Sequence, residues 1–143
     1  MSYLLDTNVI SELVKPTPNE SLLKWLEGIN SEKLYLSVIT IGEIRKGISG
    51  IQNPQRQEKI SQWLEIELPA YFEDRILNID IKVADRWGQL QSKNKGYILP
   101  AIDGLIAATA CLYNLTLVTR NIKDFVHAPV KIINPWEKID INL

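Results

Sequence analysis

This chain of 143 residues predicts an α/β domain built on a central, mainly parallel sheet flanked by helices. Three observations predict it. Short apolar runs suited to buried strands alternate with longer segments of helical periodicity. Apolar residues make up 45% and charged residues 23%, an ordinary globular balance that supports a real core. Turn and cap signals are short and frequent, with no repeat, low-complexity tract or charge block between them. A single domain over residues 1–143 is expected.

The elements follow in order. Tyr3, Leu4 and Leu5 form an apolar run that ends in Asp6, Thr7 and Asn8, a strand entering a turn. Residues 9–14 look helical until Pro16 and Pro18 stop them. Asn19 is placed to cap a helix whose Leu22, Trp25, Leu26 and Ile29 fall at i, i+3, i+4 and i+7. Residues 34–39 are apolar with β-formers inside, a buried strand, and a helix over 40–49 follows. Asn53-Pro54 reads as a cap and a proline at the first helical position. That helix runs to about residue 68 with Ile60, Trp63, Leu64 and Leu68 on one face. Residues 75–79 read as a strand. Asp80 caps a helix carrying Val83, Ala84, Trp87 and Leu90, and Lys93, Asn94, Lys95 and Gly96 break it. Residues 102–113 are apolar nearly all round, a central buried helix. Residues 116–119 and 130–133 supply two more strands.

Composition narrows the function. Lys+Arg total 16 and Asp+Glu 17, so the net charge is −1 and no overall basic field recruits a polyanion. Cys111 is the only cysteine, which excludes an internal disulfide and favours a reduced, cytoplasmic setting. No apolar run approaches the ~20 residues of a membrane span, and the N-terminus reaches an acid too early for a signal peptide.

In parallel α/β sheets, ligands bind beyond the carboxyl ends of the strands. Asp6 directly follows the first strand. Glu43 is expected in the first turn of the helix after the second strand, and Asp103 in the first turn of the buried helix. Asn121 and Asp124 follow the strand ending at Thr119. Carboxylates gathered at one edge repel each other unless a cation neutralises them. Oxygen donors without His or Cys suit Mg²⁺ or Mn²⁺, which can lower the pKa of a bound water and clamp phosphate oxygens. The one histidine, His127, leaves no pair for His-based acid–base cleavage.

Other readings of each residue are plainer. Asp6 is otherwise a turn or cap aspartate. Glu43 is otherwise a solvated acid near a helix N-terminus. Asp103 has the weakest plain reading, because an unpaired acid in an apolar helix is costly. Asn121 and Asp124 fit turn chemistry equally well. Asp80 is a cap. Glu12 is either a prop for a site residue or an exposed helix residue. Arg45, Lys46, Arg86 and Arg120 could hold phosphates but more simply form a solvated face. Cys111 fits core packing, His127 a loop, and Trp25, Trp63, Trp87 and Trp136 core or interface faces.

Four blocks resemble a known family. They are Leu4-Leu5-Asp6-Thr7-Asn8-Val9-Ile10-Ser11-Glu12-Leu13; Thr40-Ile41-Gly42-Glu43; Pro100-Ala101-Ile102-Asp103-Gly104-Leu105-Ile106-Ala107-Ala108-Thr109-Ala110; and Val118-Thr119-Arg120-Asn121-Ile122-Lys123-Asp124-Phe125. In this order they resemble PIN-domain ribonucleases, above all the VapC-type toxins and their FitB-like group. The resemblance implies a PIN-like fold and Mg²⁺- or Mn²⁺-dependent endoribonuclease activity, with the metal on Asp6, Glu43 and Asp103. The fourth family acid falls at Asn121 or at Asp124. Thr7, Asn8 and Thr119 match polar positions that hold water or ligands in place. The resemblance also implies an RNA substrate, a homodimer and a small DNA-binding antitoxin as partner.

Rival functions fit less well. A phosphoacceptor signalling domain wants an acid pair after the first strand, where Asp6 has Thr7 and Asn8. An Asp-nucleophile phosphatase needs Asp-x-Asp, and here the second position is Asn8. A PIN-like protein that only binds a partner should lack a metal acid. A PIN-like nuclease acting on DNA shares the metal chemistry, and it and the phosphoacceptor domain stay as the alternatives.

Overall fold

The structure is a computed structural model and describes residues 1–93, 96 and 99–137. Asn94 and Lys95 of the expected break after Lys93 lie outside the described residues. Five strands, β1 (Tyr3–Leu5), β2 (Leu34–Ser37), β3 (Ile76–Leu77), β4 (Thr116–Val118) and β5 (Ile132–Ile133), form one sheet in the order β3-β2-β1-β4-β5. Every pairing is parallel, as the alternation of strand and helix predicts. β1 matches the expected run, and β2 to β5 are shorter than expected. Residues 38 and 39 have joined the next helix, because Ser37 turns the chain and its hydroxyl caps the Ile39 N–H at 3.1 Å.

Side-chain alternation along the strands builds two cores. Leu5, Leu34, Leu36 and Val118 point to one face, and Leu4 and Leu117 to the other. The first face packs against α1 (Thr7–Leu13), α2 (Glu20–Glu27), α3 (Val38–Ile48), α4 (Pro54–Gln62) and α5 (Leu68–Phe72), through Val9, Ile10, Leu22, Ile44, Ile48, Ile60 and Phe72. The second packs against α6 (Ile81–Lys93) and α7 (Ala101–Leu112), through Val83, Leu90, Ile106, Ala107 and Ala110. Burial on both faces explains why the strands read as continuous apolar runs.

Predicted caps are in place. Asn19 accepts from Leu22 N at 3.1 Å, Asn53 from Arg56 N at 3.1 Å and Asp80 from Val83 N at 3.0 Å, each a contribution of about 1 kcal/mol. Three expectations need correction. Helix α1 begins at Thr7 rather than residue 9, because Asp6 itself caps it. Ala84 is exposed, so α6 buries a narrower stripe. The helix expected to stop near residue 68 continues to Phe72 through a π turn, Trp63–Glu67, in which the Leu68 N–H reaches back to the Trp63 carbonyl. Pro69 gives the reason: it has no N–H, and its ring would crowd the carbonyl four residues back in a regular helix. Among the described residues, no helix is long and apolar enough to cross a membrane.

Candidate metal centre

The sheet register brings the site residues together. Leu5 pairs with Val118, and the Asp6 N–H continues the ladder to the Val118 carbonyl at 2.9 Å. Asp6 therefore emerges beside Thr119 at the carboxyl edge. Its carboxylate is buried and both oxygens accept hydrogen bonds. Oδ1 accepts from Thr7 N at 2.8 Å; Oδ2 accepts from Thr119 Oγ1 at 2.8 Å and from Asn8 Nδ2 at 3.3 Å. Burial pushes the Asp6 pKa up, hydrogen bonds from Thr119 and Thr7 hold it down, and the charges of Glu43 and Asp124 push it up again.

Asn8 and Thr119 tie this acid to the chain after β4. Asn8 Nδ2 donates to Thr119 Oγ1 at 3.1 Å, and Asn8 Oδ1 accepts from Arg120 N at 3.2 Å. Thr119 Oγ1 also accepts from Asn121 N at 3.0 Å. Glu43 is half-buried and reached from the other side. Thr7 Oγ1 donates to its Oε1 at 2.6 Å and lies 3.1 Å from Thr40 Oγ1. Since the Thr7 proton goes to the carboxylate, the Thr40 hydroxyl donates to Thr7. Thr40 is fully buried and was missed as a site residue. Its signal was available: it sits one helical turn before Glu43, on the same face. Glu43 itself is in the second turn of α3, not the first, because the helix starts at Val38.

Asp103 lies in the first turn of α7, half-buried, and its side chain makes no hydrogen bond among the described residues. Its pKa is pushed up to about 6, first by burial and then by the charges of Asp6, Asp124 and Glu43. The helix around it is less enclosed than its sequence suggests, because Ile102 and Tyr113 at its ends are exposed. Asp124 is exposed, in the short turn Ile122–Phe125 that buried Phe125 anchors. Its charge reaches both Asp6 and Asp103. Asn121 starts that turn, its carbonyl accepting from Asp124 N at 3.1 Å, and its side chain makes no hydrogen bond among the described residues.

Four carboxylates thus converge on one edge. Among the described residues, no group of three or more His, Cys, Asp or Glu side chains is drawn close enough to enclose a metal ion. The fit therefore rests on the donor set. That set is all oxygen, with an Asp103 carboxylate committed to no protein donor, and the pKa values of Asp6 and Asp103 are raised first by burial and then by neighbouring acids. It suits a hard divalent cation.

Other expected residues lie elsewhere. Glu12 is buried, not exposed. Its carboxylate accepts from Lys15 Nζ at 3.0 Å and Asn19 N at 3.1 Å, fastening the connection from α1 to α2. The Lys15 hydrogen bond is the main reason its pKa is lowered. Arg45 pairs with Glu65 at 2.8 Å, and Arg86 donates to Cys111 Sγ at 3.1 Å.

The PIN-domain family model matches residues 3–131. The chain belongs to the PIN-domain family. It is similar to Toxin FitB of Neisseria gonorrhoeae, with 42% identity over 135 residues covering 93% of this chain and 97% of that one. It is 38% identical over 136 residues to VapC ribonuclease Y4jK of Sinorhizobium fredii, covering 94% and 97% respectively. Among solved structures, FitAB bound to an IR36 DNA fragment superimposes with a TM-score of 0.88 at 38% identity, covering 98% of this chain and 99% of that one. The five-stranded parallel sheet between helices is therefore the PIN fold.

Proposed function

We propose that this PIN domain is a divalent-metal-dependent endoribonuclease and the toxin of a toxin–antitoxin pair. The convergence of Asp6, Glu43, Asp103 and Asp124 on the carboxyl edge of the sheet carries the reading. Relatives named as a toxin and as a VapC ribonuclease support it. Asp6, Glu43 and Asp103 hold the ion, Mg²⁺ or Mn²⁺, and Asp124 rather than Asn121 is the fourth acid, because its charge reaches the others. Thr7, Thr40, Asn8 and Thr119 hold the first two carboxylates in fixed rotamers. The ion supplies water of lowered pKa and neutralises charge at the phosphate. No side-chain nucleophile is needed. The whole chain acts as one cytoplasmic domain, as a homodimer, held inactive by a small DNA-binding antitoxin; the similarity to FitAB bound to a DNA fragment supports this.

The test is cleavage of structured RNA by the purified chain with Mg²⁺ or Mn²⁺. Asp6→Asn and Asp103→Asn should each lose several kcal/mol of transition-state stabilisation, on the order of a thousandfold in rate, with an unchanged far-ultraviolet spectrum. Cleavage that persists in chelator or in both variants overturns the reading. Cleavage of DNA in place of RNA would reassign the substrate.

A further inference from the structure

The chain has five arginines, and four commit their guanidinium groups to protein acceptors. Arg45 donates to Glu65 and Ser61. Arg56 donates to the Val14 carbonyl. Arg75 donates to the carbonyls of Ser31, Leu34 and Tyr71. Arg86 donates to Cys111 Sγ. The guanidinium of Arg120 donates to no acceptor among the described residues, although its position is not loose. Its backbone N–H is bonded to Asn8 Oδ1 at 3.2 Å, and Asn8 in turn bonds Asp6. Its Cζ stands 5.8 Å from the ring centroid of Trp136. Trp136 is fixed as well: it packs against the α1-side core, and its backbone N–H donates to Asn134 Oδ1 at 3.0 Å.

An exposed arginine normally surrenders rotamer freedom when it binds an anion. Here the indole already holds it, while the fork of N–H donors at its rim stays unspent. The Arg120 backbone is two hydrogen bonds from Asp6, at the rim of carboxylates that repel phosphate, in a protein of net charge −1 with no general basic field. The Arg120 charge also helps keep buried Glu12 ionised, but that long-range pull leaves its N–H donors free. An RNA strand entering the acidic edge requires such a cation.

We propose that Arg120, braced on Trp136, is the phosphate-binding residue that receives the RNA backbone beside the cleavage site. It is a positioning contact on a neighbouring phosphate rather than part of the cutting chemistry. This rests on the ribonuclease reading above. The planar guanidinium suits two oxygens of one phosphate.

The experiment uses the full chain in two assays. Cleavage kinetics with Mg²⁺ are measured for Arg120→Ala, Arg120→Lys and Trp136→Leu. Binding of a labelled mixed-sequence single-stranded RNA is measured in the cleavage-silent Asp103→Asn background between about 50 and 200 mM salt. Arg120→Ala should raise KM about tenfold with kcat nearly unchanged, and should flatten the slope of log K against log salt by about 0.7, the loss of one phosphate contact on a single strand. Arg120→Lys should keep the slope and lose part of the affinity, and Trp136→Leu should weaken binding a few-fold. Arg120 is exposed, so its variants decide the matter even if Trp136→Leu fails to fold. If the unsubstituted chain neither binds nor cuts RNA, the ribonuclease reading fails and this one with it. If it does both while Arg120→Ala matches it in KM and salt slope, the Arg120 assignment alone is overturned. The same holds if Arg120→Ala weakens only the grip of a protein partner.

Discussion

The Asp103 carboxyl is ionised against resistance, because burial and the charges of Asp6, Asp124 and Glu43 raise its pKa to about 6. A carboxyl whose folded pKa lies above its unfolded value of 3.8 favours the fold when protonated. That contribution is complete below about pH 4 and lost as pH rises through about 6. Asp6, also raised, has the same sign. Without divalent metal, Asp103→Asn should therefore melt higher than the unsubstituted chain at pH 7.5, with the gap closing toward pH 4. Because Asp103 is half-exposed, water screens the effect to about 1 kcal/mol or less, roughly 2–4 °C; thermal melts at both pH values check it. An equal melting temperature at pH 7.5 would count against the like-charge cluster. Asp6 and Asp103 were legible as single residues, one from its place after an apolar run and the other from its apolar surroundings. Glu43 was legible only through the family blocks, since its carboxylate is recruited by a hydroxyl 36 positions away. Nor could Glu12 be told from a solvated acid. Its burial depends on the α1–α2 connection folding back onto it.

Among elements, α6 and α7 show how closely a packing contact adjoins the site. An ideal Cβ on Gly104 would lie 2.8 Å from both Trp87 Nε1 and Gln91 Nε2. The absence of that atom lets α6 close on α7 one residue from Asp103. Gln91 Nε2 also donates to the Leu99 carbonyl at 2.9 Å, tying α6 to the entry of α7. Gly104→Ala should gain about 1 kcal/mol of helix propensity and lose more through overpacking. A net destabilisation of about 1–2 kcal/mol, roughly 3–7 °C in melting temperature, is the expected readout, with cleavage reduced further than stability alone explains. A neutral Gly104→Ala would show that the indole swings aside freely. Helix existence and caps were legible because they depend on local spacing. The lengths of β2 and β3 and the π turn before Pro69 were not, because they are set by tertiary pairing and by steric relief within the helix.

For the molecule as a whole, the ordering of five short parallel strands turns acids distant in sequence into one edge, and that much followed from alternation of element type. The strand order itself, with β1 central, was not legible, because apolar runs do not state their neighbours. A cation bound only by the folded edge stabilises the entire chain by mass action, about 2.7 kcal/mol at a hundred times its dissociation constant. Millimolar Mn²⁺ should raise the melting temperature by several degrees at pH 7.5 and by much less at pH 5, where protons compete for Asp103. Calorimetric scans with and without the ion test this, and insensitivity at both pH values would count against a cation site. The bonding around Asp6 has one more consequence. Its neighbours Thr7, Asn8 and Thr119 join the ends of β1 and β4, and Thr7 reaches both Thr40 and Glu43 on α3. Leu4 and Leu5 beside it anchor opposite cores. The acidic edge thus has no folding transition of its own. It should assemble and dissolve in the same cooperative step as the two cores, so the chain passes directly between competence and collapse without a folded but inert intermediate.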